Sequence, residues 1–459
     1  MERLSSLDAV FLAIENRVSP MNIGSVSIFE GPAPSLQSTR AFVEAKIQLV
    51  PRCRQRVREA LWNAARQVWI DDVNFNLDDH LHHASLPPEQ HLALEQLVER
   101  VMAQPLDRSR ALWEMWVVDG LAHDRWAIVS KVHHCMVDGI AGTDLLAAMM
   151  DRAASVEVPP SDGWIPDPEP SPIKIARFAT AAAVGSAWIL ARRVVRMVFH
   201  FRSTWTRLHD FVAGAKGLWF QPSRRDSRLT GPIGPHRRWE HTCISLGDVA
   251  TIRDCLGGTV NDVVLTAISR GFRELVNSRG ESIDERTIMA LVPVSIRAPD
   301  EHGHLDNRVA VTHALLPLGI NDPLEAYAAI RKHLDDVKRS HEANASNVLL
   351  HVGDFTPQGV AAAVARAVVR GQRNLETIVT NVRGPQSPLY LCGSRMLEAY
   401  PFVPIAGRIR IAIALWSYCG TLYFGITGDR DAASDLAPLV LGINRGFESL
   451  LNAAGAAAN

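Results

Sequence analysis

Six prolines, at positions 159, 160, 166, 168, 170 and 172, crowd one short stretch of the chain. Proline fixes φ and has no N–H to donate, so such a stretch excludes helix interior and central strand. It reads as a linker, and whatever is compact must be built from the sequence on either side of it. On both sides short apolar runs alternate with helical patterns. Before the linker, residues 21–29, 68–70, 116–121 and 126–132 read as strands, and 40–50 and 140–152 as helices. After it, Thr259 reads as the cap of a helix with Val260, Val263, Val264, Ala267, Ile268, Phe272, Leu275 and Val276 on one face. Residues 287–294 and 308–316 read as strands, and 323–339, 360–370 and 437–453 as helices. Residues 408–416 and 421–426 form a hairpin pattern around Cys419-Gly420. The pattern predicts an α/β protein. Its 459 residues exceed what one ordinary core organises, and they divide into blocks at 1–157, 158–235 and 236–459.

The middle block is the unusual one. Residues 173–220 read as helical, and 171–240 carry thirteen Lys/Arg against three Asp/Glu, a net +10 that leaves −11 for the remainder. The apolar run 178–191 is shorter than the ~20 residues a bilayer span requires, and Arg192, Arg193 and Arg196 follow it at once. Two readings stay open: a helix lying in a membrane surface, or connecting helices whose arginines are simply solvated. A net charge of −1 gives no overall attraction to nucleic acid. Six scattered cysteines without a C-x-x-C pair argue against a zinc site or disulfide framework and fit a reducing compartment. The first residues lack the basic and apolar regions of a signal peptide, so a cytoplasmic location is expected.

Chemistry concentrates at His133-His134-Cys135-Met136-Val137-Asp138-Gly139, where the buried strand 126–132 ends. Imidazole titrates close to neutrality, as a general base requires. Adjacent residues on an extended segment face opposite ways, so only one ring can address a given cleft, and geometry alone does not say which. A structural role for the pair stands beside the catalytic one. Metal ligands sharing a face stand at i, i+2 on a strand or i, i+4 on a helix, which an adjacent pair does not satisfy; no metal is expected. Asp138 could orient a histidine or, beyond a turn closed by Gly139, accept backbone N–H groups. Cys135 points away from the His134 side. There is no G-x-S-x-G elbow, Walker A loop or Rossmann glycine fingerprint. Chemistry with one histidine base and no protein nucleophile remains: direct attack of a substrate hydroxyl on an activated acyl group.

The segment resembles the HHxxxDG signature of the bacterial wax ester synthase/acyl-CoA:diacylglycerol acyltransferase family, in its actinobacterial triacylglycerol synthase form. Further blocks match in order: Leu4-Ser-Ser-Leu-Asp8, Pro20-Met-Asn-Ile-Gly24, Leu106 to Glu114 (the PLW segment, with Ala111 for proline), Gly231 to Arg238, Gly257 to Asp262, Pro293 to Arg297, and Asn381-Val-Arg383-Gly384-Pro385, where Arg383 replaces the commoner proline. Asp306-Asn-Arg308 stands where Gly-Asn-Arg is commoner. Related CoA-dependent acyltransferases and condensation domains share HHxxxDG alone; the other blocks narrow the match and extend it along essentially the whole chain.

The resemblance implies two CoA-dependent-acyltransferase-like subdomains, each a mixed sheet with helices, around a tunnel. It implies His134 as general base, with His133, Asp138 and Gly139 shaping its loop. Asn261 and Asp262, at a predicted helix N-terminus, are read either as oxyanion donors or as caps; a backbone N–H near Gly139 is the other oxyanion candidate. Acyl-CoA is the expected co-substrate, with no other cofactor. Diacylglycerol or a long-chain alcohol is the expected acceptor, met at the inner face of the plasma membrane or a lipid-droplet surface. Rival readings are a condensation-type transferase with a carrier-bound donor and a non-catalytic lipid-binding paralogue.

Overall fold

The computed structural model describes residues 1–59, 67–87, 92–136, 149–155, 163–175, 177–178, 228–295, 309–339 and 358–458. Its strands are β1 (Glu2–Arg3), β2 (Asn22–Glu30), β3 (Gln55–Arg58), β4 (Val68–Asp71), β5 (Leu81–Ser85), β6 (Trp113–Leu121), β7 (Arg125–His133), β8 (Arg237–Ser245), β9 (Thr287–Ser295), β10 (Val309–Pro317), β11 (Thr377–Arg383), β12 (Tyr390–Leu391), β13 (Ser394–Phe402), β14 (Ile411–Tyr418) and β15 (Thr421–Asp429). Its principal helices are α1 (Ser6–Ile14), α2 (Leu36–Ile47), α3 (Ala93–Ala103), α4 (Leu246–Leu256), α5 (Val260–Ser278), α6 (Pro323–Arg339), α7 (Gln358–Gly371) and α8 (Ala437–Ala458). Strands and helices alternate, as the apolar periodicity predicts.

Two six-stranded sheets dominate, in the orders β12-β13-β2-β7-β6-β5 and β10-β9-β11-β14-β15-β8. Each is mixed: β5 and β6 are parallel in the first, and β11 runs parallel to both β9 and β14 in the second. A three-stranded sheet, β1-β4-β3, stands beside the first. In β7, Trp126, Ala127, Ile128 and Val129 are all buried. That unbroken apolar run marks a central strand covered on both faces. The β14–β15 hairpin closes on Cys419 and Gly420, with φ of 44° and 80°. Two successive positive φ values are what a two-residue type I′ connection requires. In the second half, α5 and α8 pack together over the sheet, burying Phe272, Leu275, Leu439 and Ile443.

The sheets do not follow the linear blocks. Strands β12 and β13 lie far into the C-terminal block, yet β13 pairs antiparallel with β2, from Met396 opposite Phe29 to Phe402 opposite Gly24. The second half thus contributes two strands to the first sheet. Within the same stretch β13 also passes against β15, where a Cβ on Gly425 would overlap the Pro401 carbonyl oxygen. Only a residue without a side chain lets the two backbones approach there.

Residues 163–170 have no regular secondary structure, as their prolines require. Residues 179–227, with Arg192, Arg193 and Arg196, lie outside the described residues, as do 140–148 and Asp306-Asn307-Arg308. Among the described residues, no helix is long and apolar enough to cross a membrane.

Replacing Gly425 by Val forces a methyl-bearing Cβ into backbone. We expect a loss of roughly 3 kcal/mol or more in denaturant-unfolding stability. Gly371→Ala, at a helix end with open space around it, serves as the control and should change stability by less than about 1 kcal/mol. Equal effects would mean that the β13–β15 contact does not constrain the fold.

Candidate active site

The exchange of β13 leaves a partly open space between the sheets, a cavity of about 170 Å³. Ile23 and Ser25 of β2, Trp113 and Met115 of β6, and Ser130 and Val132 of β7 form one wall. Their registers set Ile23 and Trp113 opposite Val132, and Ser25 and Met115 opposite Ser130, so all six share one face. Thr380 and Val382 of β11, Leu415 and Trp416 of β14, and Phe402 at the end of β13 contribute from the other side. A Cβ on Gly384 would overlap the Trp416 indole nitrogen, which is the local demand behind the glycine of the Asn381–Pro385 block.

The lining is mostly apolar, and several of its polar groups already have protein partners. The Ser25 and Ser130 hydroxyls lie 3.0 Å apart, and the Ser25 N–H donates to Ser130 Oγ at 3.1 Å. Glu114 Oε2 accepts from Lys131 Nζ at 3.1 Å and from the Trp116 indole at 3.3 Å.

His134 lines this cavity and His133 does not. The strand alternation leaves the choice between them open in the sequence; the structure separates them. His133 ends β7 opposite Asn22 and is 1% exposed. Its Nδ1 accepts the Cys135 N–H at 3.0 Å, which places the proton of a neutral ring on Nε2. Nε2 lies 3.4 Å from Glu15 Oε1, so its N–H faces the carboxylate. His134, half-buried, donates its backbone N–H to Met21 O at 2.8 Å and stacks its ring on Phe11, with centroids 3.8 Å apart and planes at 18°.

Glu15, immediately after α1, organises this corner. It accepts from Arg108 Nη2 at 2.6 Å and Nε at 3.0 Å, and from the Met21 N–H at 3.1 Å. Arg108 also donates to Leu12 O at 2.9 Å, closing the end of α1. Burial of Glu15 raises its pKa, but the facing His133 and the Arg108 guanidinium outweigh it and bring the carboxyl down from its ordinary 4.5 to about 2. The motif scan does not single out Glu15. A signal exists: an acid at a helix C-terminus opposes the helix dipole and therefore needs a cationic partner.

Asp138 and Gly139 lie outside the described residues. The described residues on either side are well packed. Cys135 and Met136 are buried before it; after it, Met149 lines the cavity and Asp151 pairs with Lys46 and exchanges backbone hydrogen bonds with Tyr390. Asp262 completes a capping box with Thr259, accepting the Thr259 N–H at 2.6 Å. Asn261 Oδ1 accepts from Asn381 Nδ2 at 2.8 Å, tying the start of α5 to β11. Asn381 alternates with the cavity-lining Thr380 and Val382, so this tie sits on the strand's other face. Burial pushes the Cys135 thiol well above its ordinary range and the cavity-lining Cys53 up to about 12, so neither supplies a thiolate at neutral pH.

Two mixed sheets around a cavity-facing histidine, with no activated nucleophile at its side among the described residues, are the architecture of a CoA-acyltransferase-type fold. Comparison with known proteins agrees. Residues 4–264 match the wax ester synthase/diacylglycerol acyltransferase catalytic domain, and residues 305–451 match the C-terminal domain of that family. A probable diacylglycerol O-acyltransferase of Mycobacterium tuberculosis is 32% identical over 449 residues, 96% of this chain and 94% of that one. The wax ester synthase/diacylglycerol acyltransferase from Marinobacter aquaeolei has a similar structure, with a TM-score of 0.69 at 22% identity, covering 99% of this chain and 100% of that one. The starter condensation domain of rhizomide synthetase shares the fold at a TM-score of 0.58 and 13% identity, over 99% and 94% of the two chains. The chain belongs to the wax ester synthase/diacylglycerol acyltransferase family.

The Glu15 shift has a defined sign. A carboxyl lowered from 4.5 to about 2 stabilises the fold fully above about pH 4.5, and that contribution is lost as pH falls toward 2. Glu15→Gln should cost about 3–5 kcal/mol at pH 7, as when one side of a buried pair is removed. In urea titrations the gap from wild type should narrow as pH falls through that window. A gap independent of pH would exclude Glu15 as the titrating partner.

Proposed function

We propose that this protein transfers a long-chain acyl group from acyl-CoA to the free hydroxyl of diacylglycerol, giving triacylglycerol and CoA. The observation that carries the reading is the placement of His134 on an apolar cavity between the sheets, with its neighbour His133 buried against Glu15. His134 takes the hydroxyl proton as the oxygen attacks the thioester carbonyl. The tetrahedral intermediate then collapses with cleavage of the C–S bond, and the imidazolium returns its proton to the leaving thiolate. No covalent acyl-enzyme is required, which agrees with the high thiol pKa values nearby.

In this mechanism His133 positions rather than reacts. Its bond to the Cys135 N–H and its contact with Glu15 fix the turn that presents His134. Asp138 and Gly139, the rest of the signature, are assigned a supporting role for His134. Asp262 caps α5, and Asn261 holds α5 against β11; the structural reading of both is the one their hydrogen bonds support. The acceptor reaches the protein at a membrane or lipid-droplet surface, and the protein works there as a peripheral protein on the cytoplasmic side. Ile165 and Ile173, 85% and 72% exposed beside the basic connector, support this.

The test uses purified protein, labelled long-chain acyl-CoA, and diacylglycerol and a long-chain alcohol in parallel. Triacylglycerol should form, and His134→Ala should lower the rate by ~10²–10⁴-fold, the usual contribution of a positioned base. Cys135→Ala should keep the activity. Equal rates for wild type and His134→Ala would sink the general-base assignment. Product from the alcohol alone would reassign the acceptor to wax ester synthesis. Transfer only from a carrier-bound acyl group would move the chain to the condensation-type reaction. Lipid binding without product would make it a binding protein.

A further inference from the structure

A second concavity lies where α3 meets the start of β8, about 580 Å³ in volume and sharing no lining residue with the His134 cavity. Its charged and polar wall includes Glu99, Arg100, Gln104, His236, Arg237 and Arg430, with Gln96 at one side. Two of these groups are already committed. Glu99, 4% exposed, accepts the Trp239 N–H at 3.1 Å and stands 3.4 Å from Arg238. Arg237, 2% exposed, donates to the carbonyls of Gly234 at 2.7 Å, His236 at 3.0 Å and Val18 at 2.5 Å. Nearby Asp429 and Asp431 crowd Gly234 and do not line the groove: Asp429 accepts the Gly234 N–H at 2.9 Å, and the Asp431 carboxylate packs on the Gly234 Cα.

Of the basic side chains, Arg100, Arg430 and His236 remain. All three are exposed, and none makes a side-chain hydrogen bond or ion pair among the described residues. Two guanidinium groups and an imidazole around a groove, held by a buried arginine that spends itself on carbonyls, suit a multiply charged phosphate. The fork of arginine donors matches phosphate oxygens in pairs.

The groove is coupled to the catalytic corner through one short segment. Val18 O is bound by Arg237, Met21 O by the His134 N–H, and the Asn22 amide donates to Met102 O at 3.1 Å and Gln104 O at 2.7 Å at the end of α3. Five residues span at most ~17 Å even when extended, so a ligand seated in the groove is within reach of the cavity.

Resting on the donor assignment above, we propose that this groove holds the phosphorylated nucleotide head of acyl-CoA, with Arg100 and Arg430 as the phosphate ligands. The thioester end of the same molecule then lies in the His134 cavity.

Calorimetric titration of CoA and of 3′-dephospho-CoA into the full chain tests this without acceptor or turnover, so a failed acyltransferase assay leaves the outcome readable. Wild type should bind CoA at least tenfold more tightly than dephospho-CoA. Arg100→Gln combined with Arg430→Gln should weaken CoA binding at least tenfold, leave dephospho-CoA within about threefold, and thereby erase the discrimination. Thermal unfolding of the double variant near the wild-type midpoint controls for folding. Vesicles containing phosphatidic acid form the second arm, because a lipid phosphate offers the same chemistry. CoA binding unchanged in the double variant would overturn the proposal. So would discrimination that persists, or a loss confined to vesicle binding.

Discussion

The antiparallel pairing of β13 with β2 is the contact on which the rest of this structure depends. It carries a strand from the C-terminal half into the first sheet, with a bulge between Met396 and Glu398. The two halves are therefore not docked bodies that could separate at modest cost. Pulling them apart would expose a row of backbone donors and acceptors as well as apolar surface. The cavity forms where β13 leaves the first sheet and meets β14 and β15 of the second. Its position is thus fixed by main-chain hydrogen bonding, which tolerates far less drift than side-chain packing between two domains.

The same logic governs the histidine pair. A strand alternates its side chains, so consecutive histidines at its end must serve different environments. One falls behind the sheet, where an unpaired imidazole would be costly to bury. Here it meets the Cys135 N–H on one nitrogen and the Glu15 carboxylate near the other. Arg108 neutralises Glu15 from its far side and closes α1, the helix that also brings Phe11 onto the His134 ring. One buried carboxylate therefore sets the positions of both imidazoles, one by charge and the other through the helix it terminates.

Much of this was legible in the sequence, and the exceptions have physical reasons. Helix and strand periodicity located β2, β7, β9, β10, the β14–β15 hairpin and the helices α5 and α6 closely, because each buries one face or both against a large core. Thr259 was legible as a cap because its hydroxyl needs only the N–H three residues on. The strand exchange was not legible, since nothing local in Ser394–Phe402 says which sheet it joins. Nor was Glu15, whose partners Arg108 and His133 are distant in sequence. His134 could be favoured over His133 only by resemblance; the side of the sheet each ring occupies is a property of the assembled strands. The division into three blocks by proline and charge describes the chain's composition, while the sheets mix the first and third.

A largely apolar cavity bears directly on which nucleophile succeeds. Acyl-CoA is thermodynamically ready to react with water, so a transferase has to present its base to an alcohol and not to solvent. A bound water needs two to four polar partners. Ser25 and Ser130 bond each other, and Glu114 is occupied by Lys131 and Trp116. These pairs leave the lining few free partners for water, and the surrounding Trp, Phe, Val and Ile side chains suit the hydrocarbon of a lipid acceptor. In the proposed reaction, selection of hydroxyl over water would follow from solvation of the cavity rather than from any feature of His134 itself. The same exclusion strengthens each charge interaction at the reacting carbonyl, because a medium of low polarity screens little.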